Sequence, residues 1–174
     1  MASIYVEVTD PRFMAIDDKI KNSYPDCCIL WMEEIVNHPV SAKFETLKKS
    51  SPIPYEIKEL FHGTNQKFLD SIIKNGFKRE HQRISAYGHG YYLSTSCSTA
   101  MQYTDPVGKN DTSFVFLCDV YVGRTGVMKS SKPVNRTDYD CSVNSTTDPS
   151  IFCIPAEEMI VPKFLVLYQQ KSIF

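Results

Sequence analysis

Leu60-Phe61-His62-Gly63-Thr64, with the pattern running on from it to Gly76, decides how this chain folds. Leu60 and Phe61 suit a strand, and His62-Gly63 ends it in a tight turn. Beyond the turn Phe68, Leu69, Ile72 and Ile73 recur at three- and four-residue spacing, with Thr64 or Asn65 as cap and Gly76 as stop. The segment is a strand, a turn and a helix. Working outward, residues 28 to 37 are mostly apolar and read as a core strand, and 41 to 49 as a helix with Phe44 and Leu47 inward. Ser50-Ser51-Pro52-Ile53-Pro54 breaks whatever precedes it. Residues 77 to 90 are polar and read as a mobile loop. Tyr91-Tyr92-Leu93 then reads as a short strand, followed by a Ser/Thr-capped helix through Ala100, Met101 and Tyr103. Residues 113 to 122 are apolar on both faces, as a central strand is, and 151 to 154 and 164 to 168 add two more strands. Strands outnumber helices without βαβ alternation, so the fold class is α+β, and residues 1 to 174 form a single domain.

The chain carries 19 basic and 20 acidic side chains, too even a balance to steer a domain onto nucleic acid or an anionic membrane. No window approaches the roughly 18 consecutive apolar residues of a membrane helix, and the first residues have no secretory pattern. The expectation is a soluble intracellular protein of cytoplasm or nucleus, acting as a monomer. Cys27, Cys28, Cys97, Cys118, Cys141 and Cys153 form no CxxC pair, and the expectation is reduced thiols.

His62 beside Gly63 places an imidazole next to exposed backbone N–H and C=O groups that can meet a planar amide, although a histidine beside glycine also serves as an ordinary turn residue. Tyr91, Tyr92 and Tyr103 supply rings that wall a slot for a flat ligand or pack a core. No GxGxxG joins a strand to a helix and no Walker pattern occurs, which disfavours Rossmann and P-loop nucleotide sites. His38, His62, His81 and His89 lack metal-ligand spacing, so no metal is expected, and His81 and His89 read as solvated loop residues. Glu33-Glu34 and Glu157-Glu158 are adjacent carboxylates that strands point to opposite faces, and they read as surface charge.

Together these segments resemble the catalytic domain of the poly(ADP-ribose) polymerase superfamily, in order along nearly the whole chain. The carriers are Leu60-Phe61-His62-Gly63-Thr64, the helix to Gly76, Tyr87-Gly88-His89-Gly90-Tyr91-Tyr92-Leu93, Tyr103, and Tyr139-Asp140-Cys141-Ser142-Val143 leading to Asp148-Pro149-Ser150-Ile151-Phe152. The last looks most like the mono-ADP-ribosylating members. The resemblance implies two facing, mainly antiparallel sheets with NAD in a cleft between them and no regulatory helical domain. It implies that His62 bonds the adenosine ribose, Gly63 grips the nicotinamide carboxamide, Tyr103 stacks on the nicotinamide ring, Tyr92 lines its other side and Thr64 contacts the ribose. Lys78, Arg79 and Arg83 fall in the loop closing over adenosine and diphosphate. His62, Tyr92 and Ile151 take the three catalytic positions.

Two residues depart from the family pattern. Ile151 stands where polymerising members carry a glutamate that activates an acceptor ribose, which implies transfer of one unit only. Ala100 stands where a serine usually bonds the carboxamide, with Ser98 or a water as substitute. The expected partner is an acceptor protein, the chain itself included, whose carboxylate is the nucleophile. Two other readings stay open. One is a binding module for NAD or ADP-ribose without turnover. The other is the RNA 2'-phosphotransferase relatives, which need several arginines converging on a phosphate, whereas only Arg12, Arg79, Arg83, Arg124 and Arg136 occur.

Overall fold

The computed structural model describes residues 2–51, 56–107, 112–128 and 132–170, so the break at Pro52–Pro54 lies outside the described residues. The strands are β1 (Ala2–Tyr5), β2 (Cys27–Val36), β3 (Ile57–Gly63), β4 (Arg83–Ser85), β5 (Gly88–Ser94), β6 (Thr112–Tyr121), β7 (Thr125–Gly126), β8 (Cys141–Val143), β9 (Ile151–Ile154) and β10 (Ile160–Gln170). The α-helices are α1 (Pro11–Ser23), α2 (His38–Ser50), α3 (Leu69–Asn75) and α4 (Cys97–Met101). The chain adopts the expected α+β class. Its strands run in the order β1-β2-β10-β6-β3-β5-β9-β8-β7, with β4 on β5. Every pairing is antiparallel except β7 with β8.

The two facing sheets that the resemblance implies are two halves of one hydrogen-bonded path. β3 meets β6 over seven paired residues, but meets β5 through one pair, Phe61 opposite Ser94. The sheet therefore parts just past Phe61.

Strand β6 is central and apolar on both faces, as its sequence requires. Val115 and Leu117 join one buried cluster with Phe61, Ile16, Ile20 and Met32 under α1 and α4. Phe116 and Cys118 join the other with Leu60, Phe44, Ile72 and Leu93. Helices α1 and α2 begin alike, with proline in the first turn behind a side-chain cap, Asp10 or Asn37. Asn37 does more than cap, because its Nδ2 donates to the carbonyls of Ile73 and Lys74 at 2.9 and 3.0 Å. It satisfies acceptors that the end of α3 would otherwise leave unpaired. Asn65 caps the 3-10 turn Gln66–Phe68 that leads into α3, and Gly76, at φ +70°, ends that helix.

Several expectations need correction. Residues 77 to 90 are not one loop: they hold a 3-10 turn (Arg79–His81), β4 and the start of β5. His81 is 5% exposed rather than solvated, because its ring lies edge-on to Phe68 and Phe77. His89 lies half-buried on β5. Helix α4 ends two residues short of Tyr103, whose N–H still donates to the Ala100 carbonyl at 3.1 Å.

Candidate functional site

The parting of β3 from β5 creates the site, and His62 occupies the gap. Its Nδ1 lies 2.8 Å from the Tyr92 carbonyl oxygen, which can only accept, so Nδ1 carries the proton. A side chain thus takes up a carbonyl that β3 no longer reaches with its backbone. The neutral ring leaves Nε2 as a bare acceptor, buried and without a partner among the described residues. Burial pushes the His62 pKa down to about 4, the bond to Tyr92 opposes the shift, and the charge of Arg83 adds to it. Phe77 fixes the ring from the side, edge-on at 4.8 Å, and is itself held by Tyr91 at 5.4 Å.

Gly63 follows as the last residue of β3, pressed against α4. A Cβ built on it would sit 1.7 Å from the carbonyl oxygen of Ala100, so only glycine allows the two backbones this approach. Two adjoining cavities open here. One is a narrow slot whose walls include Gly63, Tyr92, Thr99, Ala100, Tyr103 and Ile151. The other, of ≈ 180 Å³, is lined by His62, Gly63, His81, Arg83, Tyr92 and Tyr103, among others. Tyr92 belongs to both. Its hydroxyl donates to the Gly88 carbonyl at 2.7 Å and accepts from the Tyr87 N–H at 3.2 Å. Burial raises its pKa, so the phenol stays protonated at neutral pH.

The structure brings together His62, Gly63, Tyr92, Ala100, Tyr103 and Ile151, but not all the residues singled out from the sequence. Thr64 is 6% exposed yet lines neither cavity. Lys78 turns away, its Nζ 3.1 Å from Glu157 Oε1, a carboxylate also bonded by Lys43 at 3.2 Å. Glu157 is therefore not the plain surface charge that its neighbour in sequence suggested. Arg79 is exposed and lines neither cavity. Ser98 cannot replace the serine missing at Ala100, because its hydroxyl bonds Ser96 at 2.8 Å and faces a different cavity across α4. Thr99, overlooked in the sequence, lines the slot, and its hydroxyl has no partner among the described residues. Its sequence signal was only its place beside Ala100, since five helical residues are too few to reveal which face meets Gly63.

Three arginines are committed elsewhere. Arg12 bonds Asp10 and Glu34, Arg124 bonds Asp140, and Arg136 lies 3.8 Å from Glu158. That leaves no convergent arginine cluster for a phosphotransferase among the described residues. Nor do the described residues include a cluster of three His, Cys, Asp or Glu side chains fit to hold a metal ion. No described helix is long and apolar enough to cross a membrane.

Comparison with known proteins bears on the family of the chain. The chain is similar to "Protein mono-ADP-ribosyltransferase PARP12" of Mus musculus, 27% identical over 141 residues that cover 75% of this chain and 19% of the relative. The human protein of that name is 30% identical over 66% of this chain and 17% of its own length. Human "Protein mono-ADP-ribosyltransferase PARP16" is 28% identical over 76% of this chain and 44% of its own length. The chain thus spans less than half the length of each of these relatives. A family model described as the poly(ADP-ribose) polymerase catalytic domain matches residues 14–172, and with that match over nearly its full length the chain belongs to the poly(ADP-ribose) polymerase catalytic domain family.

Proposed function

We propose that this domain binds NAD and transfers a single ADP-ribose unit from it to a protein acceptor, releasing nicotinamide. The observation that carries the reading is His62, lining one cavity with Gly63, Tyr92 and Tyr103, with an Nε2 that has no partner among the described residues. A lone acceptor held in its neutral form suits a ribose hydroxyl. The Gly63 backbone, with no side chain to shield it, suits the carboxamide. Tyr92 and Tyr103 suit the faces of the nicotinamide ring, and the Thr99 hydroxyl stands in for the serine absent at Ala100.

NAD supplies the reactive bond. Its ribose–nicotinamide C–N bond breaks with the electron pair going to the ring nitrogen, so neutral nicotinamide leaves without needing a proton. The protein's part is to orient the dinucleotide and keep water away. The acceptor's carboxylate oxygen then bonds the ribose carbon, and no side-chain base is called for. Transfer stops at one unit because no Asp or Glu is among the described residues lining either cavity, and Ile151 fills the position of the elongating glutamate.

Incubation with labelled NAD followed by a denaturing gel tests this. One sharp labelled band is expected, lost in His62→Ala and in Tyr92→Ala, while a high-molecular-weight smear would overturn the single-unit reading. The lack of a hydroxyl at Ala100 favours a second reading, a module that holds NAD without turnover. Nicotinamide release in excess of enzyme excludes that module.

A further inference from the structure

Among the described residues, Arg12, Lys78, Arg124 and Arg136 each have a carboxylate partner whereas Arg79 and Arg83 have none, and Arg83 reaches the site. Its guanidinium lies over the Tyr103 ring, 5.0 Å from the centroid. Its charge is felt at His62, whose pKa it helps to lower. Strand β4 carries it, and all three β4 residues are exposed, with Ile84 65% exposed. Among the described strands β4 pairs only with β5, at the edge of the sheet.

Resting on the NAD reading, we propose that Arg83 is a specificity-determining residue that competes with the nicotinamide ring for Tyr103 and yields to ligands that bring their own diphosphate. A guanidinium is a planar cation, as the nicotinamide ring of NAD is, and both are drawn to the face of a tyrosine. A ring that takes the Tyr103 face turned to this cavity displaces Arg83. Free nicotinamide offers the displaced cation nothing. NAD offers two negative phosphates within the same molecule, and arginine binds phosphate oxygens well. The site therefore discriminates against the released product and in favour of the intact dinucleotide. ADP-ribose, anionic but without the ring, gains Arg83 as a partner for its diphosphate.

The test is calorimetry on the full chain and on Arg83→Gln and Arg83→Lys, titrating nicotinamide, ADP-ribose and NAD separately, with thermal melts to establish that the exposed substitution leaves the fold intact. In Arg83→Gln, nicotinamide is expected to bind roughly three- to fivefold tighter, the scale of an exposed cation–π contact. ADP-ribose is expected to bind about tenfold weaker, the scale of a charge-assisted hydrogen bond. Arg83→Lys keeps the charge but not the planar stack, so nicotinamide tightens while ADP-ribose changes less. Opposite signs for the two ligands support the proposal. If Arg83→Gln weakens both, or moves neither, the competition is overturned while the NAD reading stands. A wild-type chain that binds none of the three ligands overturns the NAD reading, and the role of Arg83 falls with it.

Discussion

On one side of the cleft stand His62, Gly63 and Tyr92, on strands whose neighbours Leu60, Phe61 and Leu93 are at most 2% exposed. On the other stands Arg83, on a strand of three residues exposed along its whole length. The first side is an extension of the hydrophobic core, so its geometry is set by packing and tolerates little change. The second touches the core hardly at all, so its residues can vary in identity and position at small cost to folding. A site built this way keeps its reactive geometry fixed and leaves selectivity adjustable.

The sharpest way to break this contrast is Gly63→Ala. The added Cβ meets backbone of α4, which has no rotamer to yield, so a loss of roughly 3 kcal/mol or more and abolished transfer are expected. An unchanged melting temperature would show that the core side is as pliant as β4. Acid gives an effect of similar size. In the folded chain His62 is neutral down to about pH 4, whereas unfolded histidine takes up a proton near 6.5. Stability is thus full above about pH 6.5 and declines as the pH falls towards 4, by up to about 3 kcal/mol from this residue. His81, also lowered by burial, acts in the same direction. Denaturant titrations across this range should slope accordingly, and His62→Gln should flatten them. A smaller effect, about 2 kcal/mol, is expected for Asn37→Ala, which unpairs the carbonyls of Ile73 and Lys74. At the foot of the scale, Ile84→Ser on β4 should change stability by no more than about 0.5 kcal/mol. A loss of several times that would place β4 in the core and dissolve the contrast.

The core side was the legible one. Its strand, turn and helix from Leu60 to Gly76 announce themselves by apolar spacing, a cap and a stop, and the same physics marks β6 and β9. Helix α1 has its own signal in Asp10-Pro11 with Phe13, Ile16 and Ile20, but the polar residues between them dilute the period and leave it faint. Strands β7 and β8, two and three residues long, have no period to read. The segment before β4 misled because Lys78-Arg79-Glu80-His81-Gln82 is polar throughout. Nothing local reveals that Phe68 and Phe77 enclose His81, or that Glu157, seventy-nine residues on, claims Lys78. Those are tertiary facts, written in pairs of distant residues rather than in any window.

The single pair between Phe61 and Ser94 gives the molecule a crease. A ligand seated against both halves spans that crease and acts as a cross-link, adding contacts where the ladder supplies one pair. Binding should then slow amide exchange most along β5 from Leu93 to Ser94, at the fold line, and less at β4. The domain's stiffness would then depend on what it holds: loose across the crease alone, and braced once a ligand bridges the two halves.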